Sequence, residues 1–435
     1  MQAAVRIALL AILFLLPCSV FAQSNQASEK DVPSDTHSVR MVYFNADPPL
    51  CATYAISGAS YPTNTYCTRA DSSTLEEHRL TQFTRSLLGT KLGHIQLFFY
   101  GMDNPRYASV ICQLVSFGAT SVQVAIQADR SPLGVREIER CAQSATVPFS
   151  SRALGRNADF SSFHVKIAAF ERDDTTIILT GSGNPMLNSE AFHDYAIAFE
   201  VNSASAFSRW HACIGLVFSL KPEDLTFSRA SELYQQCDIW RRSSAGIQPF
   251  LLPFDRDAFV SEWRSLASAS VQIEIIVQHA NSTIIRDALL DSLRRGNHVK
   301  IIMDDDIVWA KRARPTGAET EYYNTPEEYD RWLEPLMQAG AEVRFLPTNH
   351  HTLPHNFLHI KLANFLMPDG SRVSIFGAPN MTRAALYRNL ENAYSTALAS
   401  ITTKFSDSFS MYWERLSIDQ SAMPKEDFPP TRINP

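Results

Sequence analysis

The sequence predicts an α/β protein made of two repeated lobes, each a mixed sheet flanked by helices. The first observation is a doubled motif. His164-Val165-Lys166, Gly181-Ser182-Gly183-Asn184 and Asp194 recur as His359-Ile360-Lys361, Gly377-Ala378-Pro379-Asn380 and Glu391. From His to Asn is 20 residues in one copy and 21 in the other, and from Asn to the acid 10 and 11. The second is a matching alternation of strand-like and helix-like periodicity in both halves. The third is length: 435 residues exceed what one hydrophobic core usually serves.

The elements follow in chain order. His94 to Tyr100 is an apolar strand, Tyr107 to Phe117 an amphipathic helix and Ser121 to Gln127 an alternating strand. The second half repeats this as strand Val271 to Gln278, helix Thr283 to Arg295 stopped by Gly296, and strand Val299 to Met303. A helix from Pro326 to Ala339 then leads through Gly340 to the strand Glu342 to Leu346, a β-α-β-α-β series suited to a mixed or parallel sheet. The His-x-Lys segments read as strands, whose period of two puts histidine and lysine on one face. Ile177 to Leu179 and Val373 to Phe376 are the strands entering the glycine turns, and Trp-containing helices follow at Ala206 to Leu216 and Lys404 to Leu416.

Residues 1–22 read as a secretory signal peptide: Arg6, the apolar run Ile7 to Leu16, and a small-residue exit at Val20-Phe21-Ala22. That run is about half of the roughly 20 residues needed for a membrane span, and Pro17 before Cys18 disfavours a lipoprotein signal. Residues 23–40 are expected to be a flexible N-terminus, 41–245 the first lobe, 254–420 the second and 421–435 a tail, with the polar, then Pro-punctuated, stretch Arg241 to Pro253 between the lobes. The expected location is therefore periplasmic or extracellular. Six cysteines remain after Cys18: Cys51, Cys67, Cys112, Cys141, Cys213 and Cys237, an even set that suits an oxidising compartment. They admit 15 pairings, of which the sequential set 51 with 67, 112 with 141 and 213 with 237 is taken as the expectation. Their spacing lacks Cys-x-x-Cys, which disfavours a zinc knuckle. A formal charge of −6 provides no overall basic footprint of the kind that marks dedicated nucleic-acid binders.

The doubled His-x-Lys and Gly-Ser-x-Asn pattern resembles the phospholipase D superfamily, whose members pair two such motifs across a pseudo-twofold interface to cleave phosphodiesters. The resemblance implies that His164 attacks phosphorus, forming a phosphohistidine, and that His359 protonates the leaving alcohol. Histidine suits both tasks because its unperturbed pKa lies near neutrality. Lys166 and Lys361, aided by Asn184 and Asn380, would offset the phosphate charge, with no metal or other cofactor required. Ser182 and the backbone amides at Gly181 and Gly377 would bind substrate oxygens. Asp194 and Glu391 correspond to the family's downstream carboxylate, which orients a histidine ring. Two departures are visible: Ala378 stands where the serine would be, and Glu171 and Leu366 stand where the family favours aspartate. The resemblance implies a phospholipid substrate at a membrane or micelle surface, cut to phosphatidic acid and a free headgroup. The alternatives are a secreted endonuclease of the same superfamily and a non-catalytic phosphate-binding relative. One chain carries both motifs, so a monomer is expected to be complete.

Other features have blander expectations. His193, His350, His351 and His355 lack repeat partners and read as loop or packing residues. Asp304-Asp305-Asp306 reads as solvated turn surface, and Lys311-Arg312-Ala313-Arg314 with Trp309 as an exposed charged loop. Phe357-Leu358 and Phe365-Leu366-Met367 read as core.

Overall fold

In the computed structural model, residues 39–48, 77–187, 189, 192–242, 246–313, 324–348 and 356–423 are described. The expected signal peptide, Cys51 and Cys67, His350, His351 and His355, Arg314 and the tail beyond residue 423 lie outside them. The strands are β1 (Arg40–Asn45), β2 (His94–Phe99), β3 (Ser121–Gln127), β4 (Phe149–Leu154), β5 (Ser162–Phe163), β6 (Lys166–Arg172), β7 (Thr175–Gly181) and β8 (Ala196–Asn202). They continue as β9 (Ile247–Leu252), β10 (Gln272–Val277), β11 (His298–Asp304), β12 (Glu342–Leu346), β13 (Leu362–Leu366), β14 (Arg372–Gly377), β15 (Asn389–Thr396) and β16 (Ile418–Asp419).

One mixed sheet runs β1-β8-β7-β6-β2-β3-β4. The other runs β16-β12-β11-β10-β13-β14-β15-β5, with β9 on β15. The parallel ladder β2-β3-β4 in the first matches β10-β11-β12 in the second. In both sheets an antiparallel strand that starts at or just after the lysine of a His-x-Lys motif lies next to this ladder, as β6 beside β2 and β13 beside β10. The duplicated architecture expected from the sequence is therefore present.

The layers follow from period-two burial. In β6, Ile167 and Ala169 enter a core that also holds Leu362, Phe376, Leu390 and Tyr394 of the other sheet. Ala168 and Phe170 face the opposite way, into a core shared with Tyr107 and Ile111 of helix Pro105–Ser116. The second sheet has its own outer core against helices Arg256–Ala269 and Thr283–Arg294. Because these sheets are covered on both faces, β2 and β10 read as nearly continuous apolar runs. Their helices start at conventional caps: Asn104, followed by proline at the first helical turn, and Ser282.

Several local expectations change. The first lobe contains a further helix, Leu133–Ser144, and β4, so it too has a β-α-β-α-β series. The stretch read as an inter-lobe connector contains β9, which pairs antiparallel with β15 along six residues. Every residue of β9 except Gln248 is buried, Pro249 included. The helix expected at Pro326 to Ala339 is broken by a π-helical turn at Tyr329–Leu333, and helix Ala399–Met411 ends in another at Tyr412–Leu416.

Asp304, Asp305 and Asp306 are buried. The expectation of a solvated turn fails because loop backbone supplies their partners. Asp304 accepts from the Leu358 amide at 2.8 Å, Asp305 from the Thr348 amide at 3.0 Å, and Asp306 from the Asn324 amide at 2.7 Å. Lys311 and Arg312 lie on helix Asp306–Ala313 rather than in a loop, and Trp309 of that helix is buried. Lys311 pairs with Asp330.

Candidate active site

The His-x-Lys histidines do not lie inside strands, as the sequence pattern suggested. β6 begins at Lys166 and β13 begins after Lys361, and the residues just before them cross to the opposite lobe. Ser162 and Phe163 pair in parallel with Asn389 and Leu390, and the His164 amide donates to Leu390 O at 2.8 Å. Reciprocally, Leu358 bridges to His193, and the His359 amide donates to His193 O at 3.0 Å. Each histidine is thus delivered beside the carboxylate of the other repeat.

That exchange decides the ion pairs. His164 Nδ1 lies 2.6 Å from Glu391 Oε2, and His359 Nδ1 lies 2.7 Å from Asp194 Oδ1. The two imidazole rings are 6.5 Å apart, centre to centre, at 81°. Lys166 Nζ is 3.0 Å from His164 Nε2 and also donates to His164 O at 3.1 Å. Lys361 Nζ donates to His359 O at 2.6 Å. An ammonium can only donate, so Nε2 of His164 accepts and Nδ1 carries its proton towards Glu391.

Burial dominates the electrostatics. It lowers His164 to about 4 and His359 to about 3; the neighbouring lysines push the same way, while Glu391 and Asp194 oppose. Burial also lowers Lys166 to about 8 and holds Lys361 well below the usual lysine range, helped there by Lys166. Burial alone would raise Asp194, yet His359, His78 and Lys361 keep it well below the carboxylate norm. At neutral pH the site therefore holds neutral imidazoles, an ionised Asp194 and lysines of weakened basicity. It carries less positive charge than its four basic groups could, so an entering phosphodiester anion favours proton uptake.

The remaining expected site residues fall into two groups. Asn184 and Asn380 have buried side-chain oxygens without a hydrogen-bond partner among the described residues, and their Nδ2 groups are the atoms that could donate to a phosphoryl oxygen. Ser182, expected to donate to substrate, is fully buried and donates to Asp194 Oδ1 at 2.8 Å while accepting from the Tyr195 amide. The Gly377 amide, also expected to bind substrate, donates to Tyr195 Oη at 2.6 Å. Gly181 lies in β7, where a Cβ would stand 2.1 Å from Tyr195 O, and at Gly377 (φ +136°) one would stand 2.4 Å from Asn392 O. Close strand approach accounts for both glycines. Ala378 needs no hydroxyl, because Asn389 Nδ2 donates to Glu391 Oε1 at 3.0 Å.

Three residues escaped the sequence reading. Asn392 accepts from the Lys166 amide at 2.7 Å and donates to Thr180 Oγ1 at 3.0 Å, and Tyr195 makes the reciprocal brace to Gly377. Each follows a motif carboxylate directly, which was the available signal. His78 lies behind Asp194, outside the repeat, and no local pattern marks it. His193, expected to pack, is buried and bonds Tyr412 Oη at 3.2 Å. Glu171 accepts from the His94 amide at 3.4 Å, where β2 begins beside β6 in the interior of the first sheet. Phe357, Leu358 and Phe365 are buried core residues. The described residues contain no cluster of side chains able to hold a metal ion and no helix long and apolar enough to cross a membrane.

Residues 263–413 match the family model described as cardiolipin synthase, PLD-like domain. No curated protein matches the sequence. Among solved structures, phosphatidylserine synthase of Haemophilus influenzae Rd KW20 is similar over 78% of this chain and 84% of its own, at 13% identity and a TM-score of 0.53. Polyphosphate kinase of Porphyromonas gingivalis is similar over 81% of this chain at 11% identity and a TM-score of 0.49; the chain spans 51% of that protein. Nuc of Salmonella typhimurium, a phospholipase D family member, aligns over 39% of this chain and 95% of its own at 19% identity and a TM-score of 0.29. Both His-x-Lys motifs in two matching mixed sheets, with the PLD-like family model on the second, support assignment of the chain to the phospholipase D superfamily.

Proposed function

We propose that this chain is an exported phosphodiesterase that hydrolyses glycerophospholipids to phosphatidic acid and a free headgroup through a phosphohistidine. The observation that carries the reading is the pair of facing imidazoles, each held at Nδ1 by a carboxylate from the other repeat, with a buried lysine beside each. Two such histidines can divide nucleophilic and acid work.

His164 Nε2 attacks phosphorus, exchanging its hydrogen bond from Lys166 for the new P–N bond. His359, neutral before substrate arrives, takes up a proton as the phosphodiester binds; the P–O bond to the headgroup then breaks, and His359 Nε2 gives that proton to the departing alkoxide. Water then attacks phosphorus in line and gives its proton to His359, and the P–N bond breaks to release phosphatidic acid and restore His164. Lys166, Lys361, Asn184 and Asn380 stabilise the phosphoryl oxygens. The Asp194 and Glu391 carboxylates beside the two rings make the transient imidazolium less costly. Phospholipid chemistry is supported by the family model's description, and export by the two disulfides, Cys112–Cys141 and Cys213–Cys237.

The test offers the purified protein labelled phosphatidylcholine, phosphatidylethanolamine and plasmid DNA in parallel, with and without a primary alcohol. Phosphatidic acid without nicked DNA is expected. Nicked DNA alone would make the protein a nuclease, a phosphatidyl alcohol without phosphatidic acid would make it a transferase, and anion binding without turnover would make it a non-catalytic relative.

A further inference from the structure

His78 caps helix Arg79–Ser86: its Nδ1 accepts the Leu80 amide hydrogen at 3.3 Å. A ring nitrogen that accepts carries no proton, so in the neutral ring the hydrogen resides on Nε2. That Nε2 is buried, has no hydrogen-bond partner among the described residues, and lies 3.9 Å from Asp194 Oδ2. Asp194 Oδ2 is likewise buried and without a partner, while Oδ1 of the same carboxylate holds His359 and Ser182. A buried donor and a buried acceptor with no other partners, separated by less than 1 Å more than a normal hydrogen bond, gain most by closing on each other.

The glycine turn leaves room for this approach. A Cβ on Gly183 would stand 3.0 Å from His78 Cε1, 3.1 Å from His78 Nε2 and 3.1 Å from Asp194 Oδ2. The corresponding residue of the second motif is Pro379, where Glu391 takes its second hydrogen bond from Asn389 instead. The glycine thus sits where a side chain would wedge histidine and carboxylate apart.

We propose that His78 is a positioning residue for His359: its Nε2–H engages Asp194 Oδ2 and holds the carboxylate in the orientation that makes His359 an effective acid. This rests on the proposed division of labour between His164 and His359. His78 then affects the departure of the alcohol, the step in which the His359 proton is used, more than the attack by His164.

The test separates the cap from the donor. His78→Asn retains a side-chain acceptor for the helix cap but removes the Nε2–H, and Gly183→Ala leaves His78 intact while inserting a methyl group. With a phosphodiester whose leaving group is a simple alcohol, both variants are expected to lose at least about tenfold in kcat/KM, the scale on which groups behind a ligand or base act. With a p-nitrophenyl ester, whose leaving group needs no acid, they should lose less than about threefold. His78→Gln, whose longer side chain can carry an amide N–H to the former Nε2 position that the shorter Asn does not reach, should recover part of the alcohol-ester rate. Ring ¹⁵N shifts of His359 should move in His78→Asn but not in His78→Gln. Equal losses on both esters, or unchanged His359 shifts in His78→Asn, overturn the proposal. If the wild-type protein cleaves neither ester, the reading of the site fails, whereas the His359 shifts still decide whether His78 positions that ring.

Discussion

His164 and Glu391 are 227 residues apart in sequence, yet Nδ1 of one stands 2.6 Å from Oε2 of the other. The same crossing joins His359 to Asp194. Each half-site is therefore a composite of both repeats, and neither repeat alone holds a histidine with its carboxylate.

His164→Ala and His359→Ala should each abolish turnover of alcohol esters while leaving thermal unfolding cooperative. The double variant should be scarcely slower than either single one, since groups acting as a unit are non-additive. Acid quenching with labelled substrate should trap phosphoprotein in the wild type and none in His164→Ala. Retention of more than about a tenth of the wild-type rate by either single variant would contradict the paired roles.

The crossed carboxylates make separable predictions. Glu391→Gln should weaken the nucleophile and slow every ester alike, including p-nitrophenyl esters. Asp194→Asn should slow alcohol esters far more than p-nitrophenyl esters, because its partner is the proposed acid. A plot of log kcat/KM against leaving-group pKa should steepen only for Asp194→Asn.

Substrate charge and pH are linked through Lys166, lowered by burial to about 8. Its charge is lost from the folded protein above that pH, so the rate should fall as pH rises through about 8, and EDTA should not change it. Between pH 8 and the ordinary lysine value the unfolded chain binds more protons. This group's contribution to stability therefore increases with pH over the window where activity declines. Binding of dimethyl phosphate, which does not titrate near neutrality, should take up protons, measured calorimetrically in buffers of different ionisation enthalpy.

Acid lability follows from three buried histidines, His193, His211 and His359, and the partly exposed His164. Burial lowers His164 to about 4 and His193, His211 and His359 to about 3. Each contributes stability that is present above the ordinary histidine value and is lost as pH falls towards the folded one. The melting temperature should therefore drop steeply below about pH 6.5. His211→Asn, far in role from phosphate chemistry, should flatten that slope; an unchanged slope would exclude its share.

Reduction should destabilise the first half selectively. Cys112–Cys141 ties helix Pro105–Ser116 to helix Leu133–Ser144, and Cys213–Cys237 ties helix Ala206–Phe218 to helix Phe227–Arg242. Each bridge should contribute roughly 2–4 kcal/mol. Limited proteolysis of the reduced protein should cut between residues 105 and 242 first, and thiol titration before reduction should find these four cysteines oxidised.

The division between chain and fold runs along the range of the interactions. The two motifs, the β-α-β order and the strand faces were legible because steric and hydrophobic periodicity repeat every two or 3.6 residues. Ile167 and Ala168 announce their opposite faces by adjacency alone, and Gly296 its helix end. Which carboxylate holds which histidine could not be read that way. It depends on Ser162 to His164 and Phe357 to His359 leaving their own sheets to pair with the opposite repeat, a choice made by partners far away in sequence. Burial of Asp304 to Asp306 had the same character: a run of three carboxylates looks solvated until loop amides arrive to satisfy it. Ser182 and Gly377 likewise kept their places in the motif but met Asp194 and Tyr195 rather than open solvent. The chain specifies which groups are available, and tertiary packing decides their partners, because hydrogen-bond satisfaction in a buried site depends on everything that folds around it.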